Sequence, residues 1–118
     1  MEGERYVVTA ETADKINRAK QTGRRVVAVG STTTRTLEWV ARQRDEVVAD
    51  EGIARLYIRP GDSFRVLDAL ITNFHLPAST PLILVAAFAG LDLVRRAYAE
   101  AIKKRYRFYS YGDAMLIL

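Results

Sequence analysis

The sequence predicts an α/β fold with a mainly parallel sheet flanked by helices. Short apolar runs rich in β-branched residues alternate with segments whose apolar residues recur at helical spacing. The run Arg25–Gly30 is almost continuously apolar, which is typical of a strand buried on both faces. The chain has 118 residues, of which 49% are hydrophobic and 27% charged, as in a globular domain. We therefore expect residues 1–118 to form a single α/β domain.

The first half of the chain predicts three strands and two helices. In order, they are a strand at Tyr6–Val8, a helix that Thr9 caps and Gly23 ends, a strand at Arg25–Gly30, a helix at Arg35–Arg44 and a strand at Leu56–Ile58. The hydroxyl-rich segment Ser31–Thr34 is expected to be a turn. The polar segment Asp45–Gly52 is expected to be a loop, and Pro60-Gly61-Asp62 is a strong turn signal.

The second half predicts a strand, two helices and one further strand. In order, they are a strand at Phe64–Thr72, a helix at Leu82–Phe88, a helix that Asp92 caps and that runs to about Lys104, and a strand at Tyr106–Tyr111. Gly112-Asp113 is a turn signal before Met115–Leu118. Ser79 or Thr80 is expected to cap the first of these helices, with Pro81 at its first position. Because Leu82–Phe88 is apolar on every side, we expect it to be buried.

Composition excludes several kinds of site. The chain has no cysteine, so neither a disulfide nor a thiolate metal site is available, and its one histidine excludes a site that needs two imidazoles. The longest uncharged apolar stretch, Pro81–Leu91, is too short to span a bilayer, which takes about 20 residues. The charged N-terminus is followed by no apolar signal region. These features predict a soluble cytoplasmic protein without a membrane partner.

The balance of charge weakly favours a polyanionic partner. The formal net charge is +4 and the pI is about 9.6, and Lys and Arg side chains that neutralise phosphates gain affinity from counterion release. Basic solvated surfaces are also common in proteins that bind no nucleic acid. Between Val66 and Leu91, by contrast, only Asp68 and His75 are ionisable. We expect this charge-poor stretch to lie at the centre of the structure, where Asp68 needs a partner such as an arginine.

The first candidate site is the segment Gly30–Arg35, which joins a predicted buried strand to a helix. Free N–H groups at a helix start can bind an anion, and the hydroxyls and Arg35 add donors. The segment matches neither the dinucleotide-binding glycine pattern nor the nucleotide-binding loop, so neither ligand is implied. The alternative is that Thr32–Thr34 only cap the helix.

The second candidate site is the segment Thr72–Pro77, which follows a predicted strand end. Ligands of α/β sheets usually bind there. His75 titrates near neutral pH and can act as an acid or a base, and Asn73 can donate or accept a hydrogen bond. The alternatives are a core histidine bonded to the backbone and an asparagine that forms a turn.

The third candidate site is the segment Tyr106–Asp113, in which aromatic residues alternate with Arg107 and small polar residues. Such a pattern can stack bases and pair phosphates, but it also describes an ordinary half-buried strand. Asp113 is either a turn residue or a carboxylate directed at a hydroxyl or amine of a ligand.

The same three segments resemble motifs of one known family. The matching stretches are Val27–Glu38, Pro60-Gly61-Asp62 with Phe64, Asp68–Pro77, Ser79-Thr80, Ala87–Gly90, Ala97-Tyr98, Ala101-Ile102 and Tyr106–Ile117. They resemble, in order, the S-adenosylmethionine:tRNA ribosyltransferase-isomerases of queuosine biosynthesis. The departures are Ser31 for a threonine, Trp39 for a serine and Pro81 for a leucine.

The resemblance implies a tRNA-modifying enzyme. In that family the ribosyl group of S-adenosylmethionine is transferred to the aminomethyl-deazaguanine base at the tRNA wobble position and isomerised, which gives epoxyqueuosine and releases adenine and methionine. S-adenosylmethionine and the precursor tRNA are then the partners, and S-adenosylmethionine is a consumed substrate rather than a cofactor. Family members are much longer and contain an inserted β-barrel domain, so the chain resembles their C-terminal part.

This reaction assigns expected roles to the candidate residues. His75 is expected to transfer a proton, Asn73 to orient His75 or the substrate, and Asp113 to bind a ribose hydroxyl or the methionyl amine. Thr33 and Arg35 are candidates for the methionyl carboxylate, and Tyr111 is a further substrate-binding candidate. For these 118 residues alone, the competing predictions are a non-catalytic RNA-binding module and an inactive segment. Self-association that covers exposed apolar surface is a further alternative.

Overall fold

The computed structural model describes residues 3–75, 80–106 and 113–118. The elements, in chain order, are β1 (Glu4–Val8), α1 (Ala10–Gln21), β2 (Val27–Val29), α2 (Ser31–Arg44), β3 (Asp50–Ala54), β4 (Ala69–Asn73), α3 (Thr80–Ala89), α4 (Leu91–Lys103) and β5 (Ala114–Ile117). This mixture of helices and strands confirms the predicted α/β class. None of the helices in the described ranges is both long and apolar enough to cross a membrane.

The strand pairing is mostly antiparallel, so the prediction of a mainly parallel sheet was wrong. β1 pairs antiparallel with β3 in a two-stranded ribbon. In the other sheet β4 lies in the middle, parallel to β2 and antiparallel to β5. A single helix between two neighbouring strands returns the chain to a parallel start. Between β4 and β5, however, the chain forms two helices, α3 and α4, so β5 enters from the opposite end.

Two of the strand predictions differ from the structure, one in whether the strand forms and one in where it begins. Leu56–Ile58 forms no strand, whereas the segment expected to be a loop contributes β3. The reason is the pairing of β1, which runs from Glu4 opposite Ala54 to Val8 opposite Asp50. The Tyr6 hydroxyl also donates a hydrogen bond to Asp50 at 2.7 Å. Ile58 is instead buried in the core without a strand partner, and the strand predicted from Phe64 begins only at Ala69.

Local signals located most of the helix ends. The Thr9 side chain accepts a hydrogen bond from the Thr12 amide at the start of α1, and Gly23 follows the end of that helix with a φ of 73°. α3 begins at Thr80, one residue before Pro81. α4 begins at Leu91 and not at Asp92, and its cap is Gly90, with a φ of 91°.

The core consists of two clusters of buried residues. The first joins β2 and β4 to α3 and α4 through Leu70, Leu84, Val85 and Val94. The second packs α1 and α2 against β1 and the segment before β4. The prediction that α3 is buried on every side was only partly right. Leu84, Val85 and Ala86 are buried, but its other described side chains are partly exposed.

Asp68 is exposed and does not lie in the interior as expected, and its charged partner is a lysine and not an arginine. Its carboxylate accepts the Val26 amide at 2.8 Å and lies 3.4 Å from the Lys20 ammonium. The hydrogen bond from Val26 and the charge of Lys20 hold the pKa of Asp68 below its usual range. Asp68 therefore connects the start of β4 to β2 and α1 and has a structural role.

A buried carboxylate fixes the segment that leads into β4. Glu38 of α2 is fully buried, and its two oxygens accept the amides of Arg65 at 2.8 Å and Val66 at 2.7 Å. The Arg42 guanidinium lies 2.9 Å from the same carboxylate and also donates to the Ser63 carbonyl at 2.7 Å. A buried charge is tolerated when it is paired and hydrogen-bonded in this way. Through Glu38, α2 determines where the chain enters β4.

Candidate functional site

A cleft lies where the parallel strands β2 and β4 end. The two strands run side by side, with Val29 opposite Ile71, and the Gly30 amide extends the pairing by donating to the Ile71 carbonyl at 2.7 Å. The cleft has a volume of about 270 Å³. Its lining comes from the ends of both strands, the start of α2 and the start of β5: Val29, Gly30, Ser31, Thr32, Thr33, Ile71, Thr72, Asn73, His75 and Ala114. The cleft thus brings the first two candidate segments together.

The hydroxyl-rich wall of the cleft is the first turn of α2. The helix begins at Ser31 and not at Arg35, so the predicted turn at Ser31–Thr34 was wrong. Gly30 precedes the helix with a φ of 93°, a conformation that glycine adopts without strain. Because glycine has no side chain, the helix start has no side-chain cap. The Thr34 hydroxyl is buried and donates to the Gly30 carbonyl at 3.0 Å, whereas Thr33 is exposed on the cleft.

His75 forms the opposite wall and is held at two points. Its ring nitrogen Nε2 lies 2.7 Å from the Thr72 hydroxyl, and its backbone amide donates to the Tyr98 hydroxyl of α4 at 2.7 Å. Partial burial lowers the pKa of His75, because the charged imidazolium loses hydration there. A neutral imidazole at neutral pH can accept a proton.

Asn73 and Asp113 lie at the same end of the sheet as His75. Asn73 is the exposed last residue of β4 and is paired with Ala114, the first residue of β5. Asp113 directly precedes Ala114, which lines the cleft. Asn73 is therefore part of the cleft wall and Asp113 is adjacent to it. The candidate Tyr111 lies outside the described residues, as does the predicted strand at Tyr106–Tyr111 except for its first residue. Tyr106 itself follows α4 and is not part of a strand.

Arg35 is separated from the other candidates. It forms an ion pair with Glu4 of β1, and only 11% of its side chain is exposed. The residues that line the cleft do not include it. Arg35 therefore connects α2 to β1, and the cleft offers Thr33 without Arg35 for an anionic group.

Two residues of the site had no role assigned from the sequence, although Thr72 begins the second candidate segment and Tyr98 lies in one of the matching stretches. Thr72, 4% exposed, contacts the His75 ring in the position expected for Asn73. Tyr98 of α4 holds the His75 backbone, and burial raises the pKa of its hydroxyl. Tyr98 also lies four residues after Val94 on the apolar face of an amphipathic helix, which is a local signal that it packs inward.

A larger surface depression, of about 580 Å³, lies on the ribbon of β1 and β3. Its lining is formed by the strand residues Arg5, Tyr6, Val7, Glu51, Gly52 and Ile53. We place the candidate site at the smaller cleft because only there do a histidine, an amide and helix-start hydroxyls converge. Within the described ranges, no group of three or more His, Asp or Glu side chains is arranged to hold a metal ion.

The lowered pKa of His75 predicts a dependence of stability on pH. Unfolded histidine takes up a proton near pH 6.5, whereas folded His75 resists protonation until a lower pH. As pH falls below about 6.5 the unfolded state binds more protons, so the free energy of unfolding decreases, and the loss is complete below the folded pKa. We expect urea unfolding between about pH 7.5 and 5 to show a steeper decrease for the natural chain than for His75→Gln. Equal slopes would contradict the burial of the imidazole.

Comparison with known proteins gives a consistent family. A family model described as "Queuosine biosynthesis protein" matches residues 1–117. The S-adenosylmethionine:tRNA ribosyltransferase-isomerase of Desulfitobacterium hafniense is 54% identical over 118 residues, which are 100% of this chain and 35% of that protein. For the enzyme of the same name from Thermus thermophilus the identity is 57%, over 100% of this chain and 34% of that protein.

A solved structure agrees with these sequence matches. The crystal structure of an S-adenosylmethionine tRNA ribosyltransferase from Thermotoga maritima is similar with a TM-score of 0.87 and 53% identity, over 97% of this chain and 40% of that chain. The chain thus spans about a third of the length of the curated relatives that it matches. On the family match, the relatives and the shared fold, the chain belongs to the queuosine biosynthesis protein family.

Proposed function

We propose that this chain supplies part of the active site of an S-adenosylmethionine:tRNA ribosyltransferase-isomerase, with the cleft between α2 and β4 as the place where S-adenosylmethionine binds. The observation that carries the proposal is the convergence of His75, Asn73 and the Thr33 hydroxyl on one cleft at the ends of β2 and β4. The reaction transfers and isomerises the ribosyl group onto the aminomethyl-deazaguanine of tRNA, which gives epoxyqueuosine and releases adenine and methionine. S-adenosylmethionine is a consumed substrate, so we propose no resident cofactor.

In this proposal His75 is the base that removes a proton from the ribose carbon beside the sulfonium. The lowered pKa of His75 supports the role, since the base must be neutral before it accepts a proton. Its partial burial also limits competition from water. Asn73, which is exposed at the end of β4, is proposed to orient the substrate, and Asp113 is a candidate for binding a ribose hydroxyl or the methionyl amine.

The start of α2 is the proposed site for the methionyl carboxylate. Backbone N–H groups in the first turn of a helix have no partner within the helix and favour an anion. Thr33 adds a hydroxyl at the cleft. Arg35, which we expected to share this role, pairs with Glu4, so we now propose the α2 start and Thr33 without it.

The direct test is a chimera in which this chain replaces the matching segment of the Thermus thermophilus relative, to which it is 57% identical. We expect the chimera to release adenine from S-adenosylmethionine only when the precursor tRNA is present. A folded chimera that binds tRNA without releasing adenine, while the parent enzyme is active, would contradict the proposal. The 118-residue chain measured alone tests the alternatives: salt-dependent tRNA binding without turnover indicates an RNA-binding module, and neither property indicates an inactive segment.

The exposed basic side of α4 is the proposed contact for the tRNA backbone. Arg95, Arg96 and Lys103 are exposed on α4, and the same helix holds the His75 backbone through Tyr98. Phosphate contacts of this kind position a nucleic acid and make its binding sensitive to salt. A tRNA that lies along α4 would reach the cleft at the ends of β2 and β4.

Charge reversal on α4 is therefore expected to weaken tRNA binding. We expect the chimera with Arg95→Glu and Arg96→Glu to bind tRNA at least about tenfold more weakly, and the slope of log affinity against log salt to fall by about 0.9 for each lost phosphate contact. The matched control carries Arg18→Glu and Arg24→Glu, which change the net charge equally on the exposed surface at and just after α1. Equal losses in both variants would show that only the net charge matters.

Location and self-association follow as further proposals. We propose a cytoplasmic location, because the proposed substrate is a tRNA. Several large apolar side chains are exposed, among them Val7 of β1 and Leu118 at the end of the chain, and contact with a second copy would remove them from water. Sedimentation of the 118-residue chain at low and high concentration checks this: self-association gives a mass that increases with concentration.

A further inference from the structure

The Thr72–His75 pair is the most specific polar contact in the cleft. Thr72 is 4% exposed, and its hydroxyl lies 2.7 Å from Nε2 of His75. Within the part of the chain that the structure describes, the Thr72 hydroxyl is the side-chain partner of the His75 ring. The His75 backbone is fixed independently by the Tyr98 hydroxyl. Phe74, the residue before His75, packs edge-on against the Tyr98 ring, with 5.2 Å between the ring centroids. The ring therefore has a defined orientation before any ligand binds.

This contact distinguishes the two nitrogens of the imidazole. A neutral histidine carries one N–H and one lone pair, and the hydrogen bond made by one nitrogen sets the state of the other. We propose that Thr72 is a positioning residue whose hydroxyl oxygen accepts a hydrogen bond from Nε2–H of His75, which leaves the lone pair on Nδ1 as the proton acceptor toward the substrate. The inference rests on the proposed function, because the role of His75 as a base sets the direction of this hydrogen bond; the state of the ring is measured on the chain without ligand.

The direction of the hydrogen bond follows from the role of the ring. A base must present an unprotonated nitrogen, and Nε2 is occupied by Thr72, so the proton of the neutral ring belongs on Nε2. A bond that Nε2–H donates persists when the ring is charged, and thus favours the charged form. Among the described titratable groups, Tyr98 of α4 contacts the His75 backbone and Asp113 precedes β5 at the edge of the cleft, while Arg95, Arg96 and Glu100 of α4 are exposed. Burial keeps the Tyr98 hydroxyl protonated by raising its pKa.

The chain is well suited to a spectroscopic test because His75 is its one histidine. Nitrogen-15 chemical shifts of the imidazole of the 118-residue chain, recorded from about pH 5 to pH 8.5, give both the tautomer and the pKa. We expect the Nε2–H tautomer in the natural chain and in Thr72→Ser, which keeps the hydroxyl. In Thr72→Val, which is similar in shape but has no acceptor, we expect a smaller share of that tautomer and a lower pKa.

Each other outcome overturns the inference. An Nδ1–H tautomer in the natural chain, or a higher pKa in Thr72→Val, would show that the hydroxyl donates to the ring instead. A tautomer and pKa that do not change in Thr72→Val would show that the contact does not position the ring. The natural chain is decisive even if Thr72→Val does not fold. Since no substrate is present, a failure of S-adenosylmethionine binding would leave these readings unaffected.

The chimera gives the matching kinetic readout. We expect Thr72→Val to lower kcat about tenfold or more with little change in KM, and Thr72→Ser to restore most of it, because a misplaced base affects the proton transfer more than binding. A loss confined to KM would contradict a positioning role. If the natural chimera releases no adenine, the proposed function fails, while the tautomer measurement still decides the role of Thr72.

Discussion

Replacement of Glu38 by alanine is expected to lower the free energy of unfolding by about 3–5 kcal/mol. The carboxylate is fully buried and accepts the amides of Arg65 and Val66 as well as the Arg42 guanidinium. Its removal leaves these donors without their acceptor in the interior, and the desolvation cost of such groups is no longer offset. Urea unfolding of the 118-residue chain measures the change.

The chain contains a matched control for this effect. Glu100 of α4 and Lys104, the residue that follows the helix, form an ion pair with the same sequence spacing as Glu38 and Arg42. The Glu100 and Lys104 side chains, however, are 54% and 58% exposed. We expect Glu100→Ala to change the free energy of unfolding by less than about 1 kcal/mol. Similar losses for Glu38→Ala and Glu100→Ala would show that burial of the Glu38 carboxylate does not matter.

The loss of Glu38 is also expected to affect the cleft. The amides that it binds belong to the segment just before β4, and the end of β4 carries Asn73 and leads to His75. In the chimera, Glu38→Ala should therefore reduce adenine release even under conditions in which most of the protein is folded. Unchanged turnover in a destabilised but folded variant would show that the function of the cleft does not depend on the position that Glu38 gives to β4.

Replacement of His75 by alanine in the chimera is expected to lower kcat by about 10²–10⁴-fold, the usual contribution of a general acid or base. We expect KM for S-adenosylmethionine to change little, because the proposed contacts of Thr33 and Asn73 with the substrate remain. His75→Gln, which retains hydrogen-bonding groups of similar length, should be equally inactive if proton transfer is the role. Adenine release under saturating substrate, with circular dichroism to verify folding, measures both variants.

The pH profile of the natural chimera gives a second reading of the same role. Because burial lowers the pKa of His75, activity should persist below pH 6.5, the ordinary pKa of histidine, and should fall only as the folded imidazole takes up a proton. This decrease of activity at low pH should be absent from the residual activity of His75→Gln. Full turnover by His75→Ala would exclude His75 as the base.

Local patterns in the sequence predicted most of the elements but not how the strands pair. The Thr9 cap and the glycine after α1 act through nearby backbone atoms, so their effect can be read locally. The position of β3 depends instead on its pairing with β1, about 45 residues earlier in the chain, as the Tyr6–Asp50 contact illustrates. The direction of β5 depends on two helices in succession, which the simple alternation of strands and helices did not capture.

The cleft could be predicted only in part, because it depends both on local signals and on contacts between distant parts of the chain. Gly30 and His75 could each be placed after a predicted strand, and ligands of α/β sheets usually bind at strand ends, but the pairing of β2 with β4, which brings the two together, is known only from the structure. The contact of Thr72 with the His75 ring depends on the side-chain direction at the end of β4. The pairing of Arg35 with Glu4 depends on the packing of α2 against β1. Neither of these two contacts can be predicted from the spacing of residues along the chain.

The most direct test of the cleft as the S-adenosylmethionine site is calorimetric titration of the chimera with a bulky residue in its wall. Thr33 is exposed at the start of α2 and lines the cleft, so Thr33→Trp should fill the space without disturbing the core. Asp14→Trp, at an exposed position on α1, is the control. The proposal predicts that Thr33→Trp weakens S-adenosylmethionine binding at least about tenfold, a change of roughly 1.4 kcal/mol, while Asp14→Trp leaves it unchanged. Unaltered affinity in the folded Thr33→Trp chimera would contradict it.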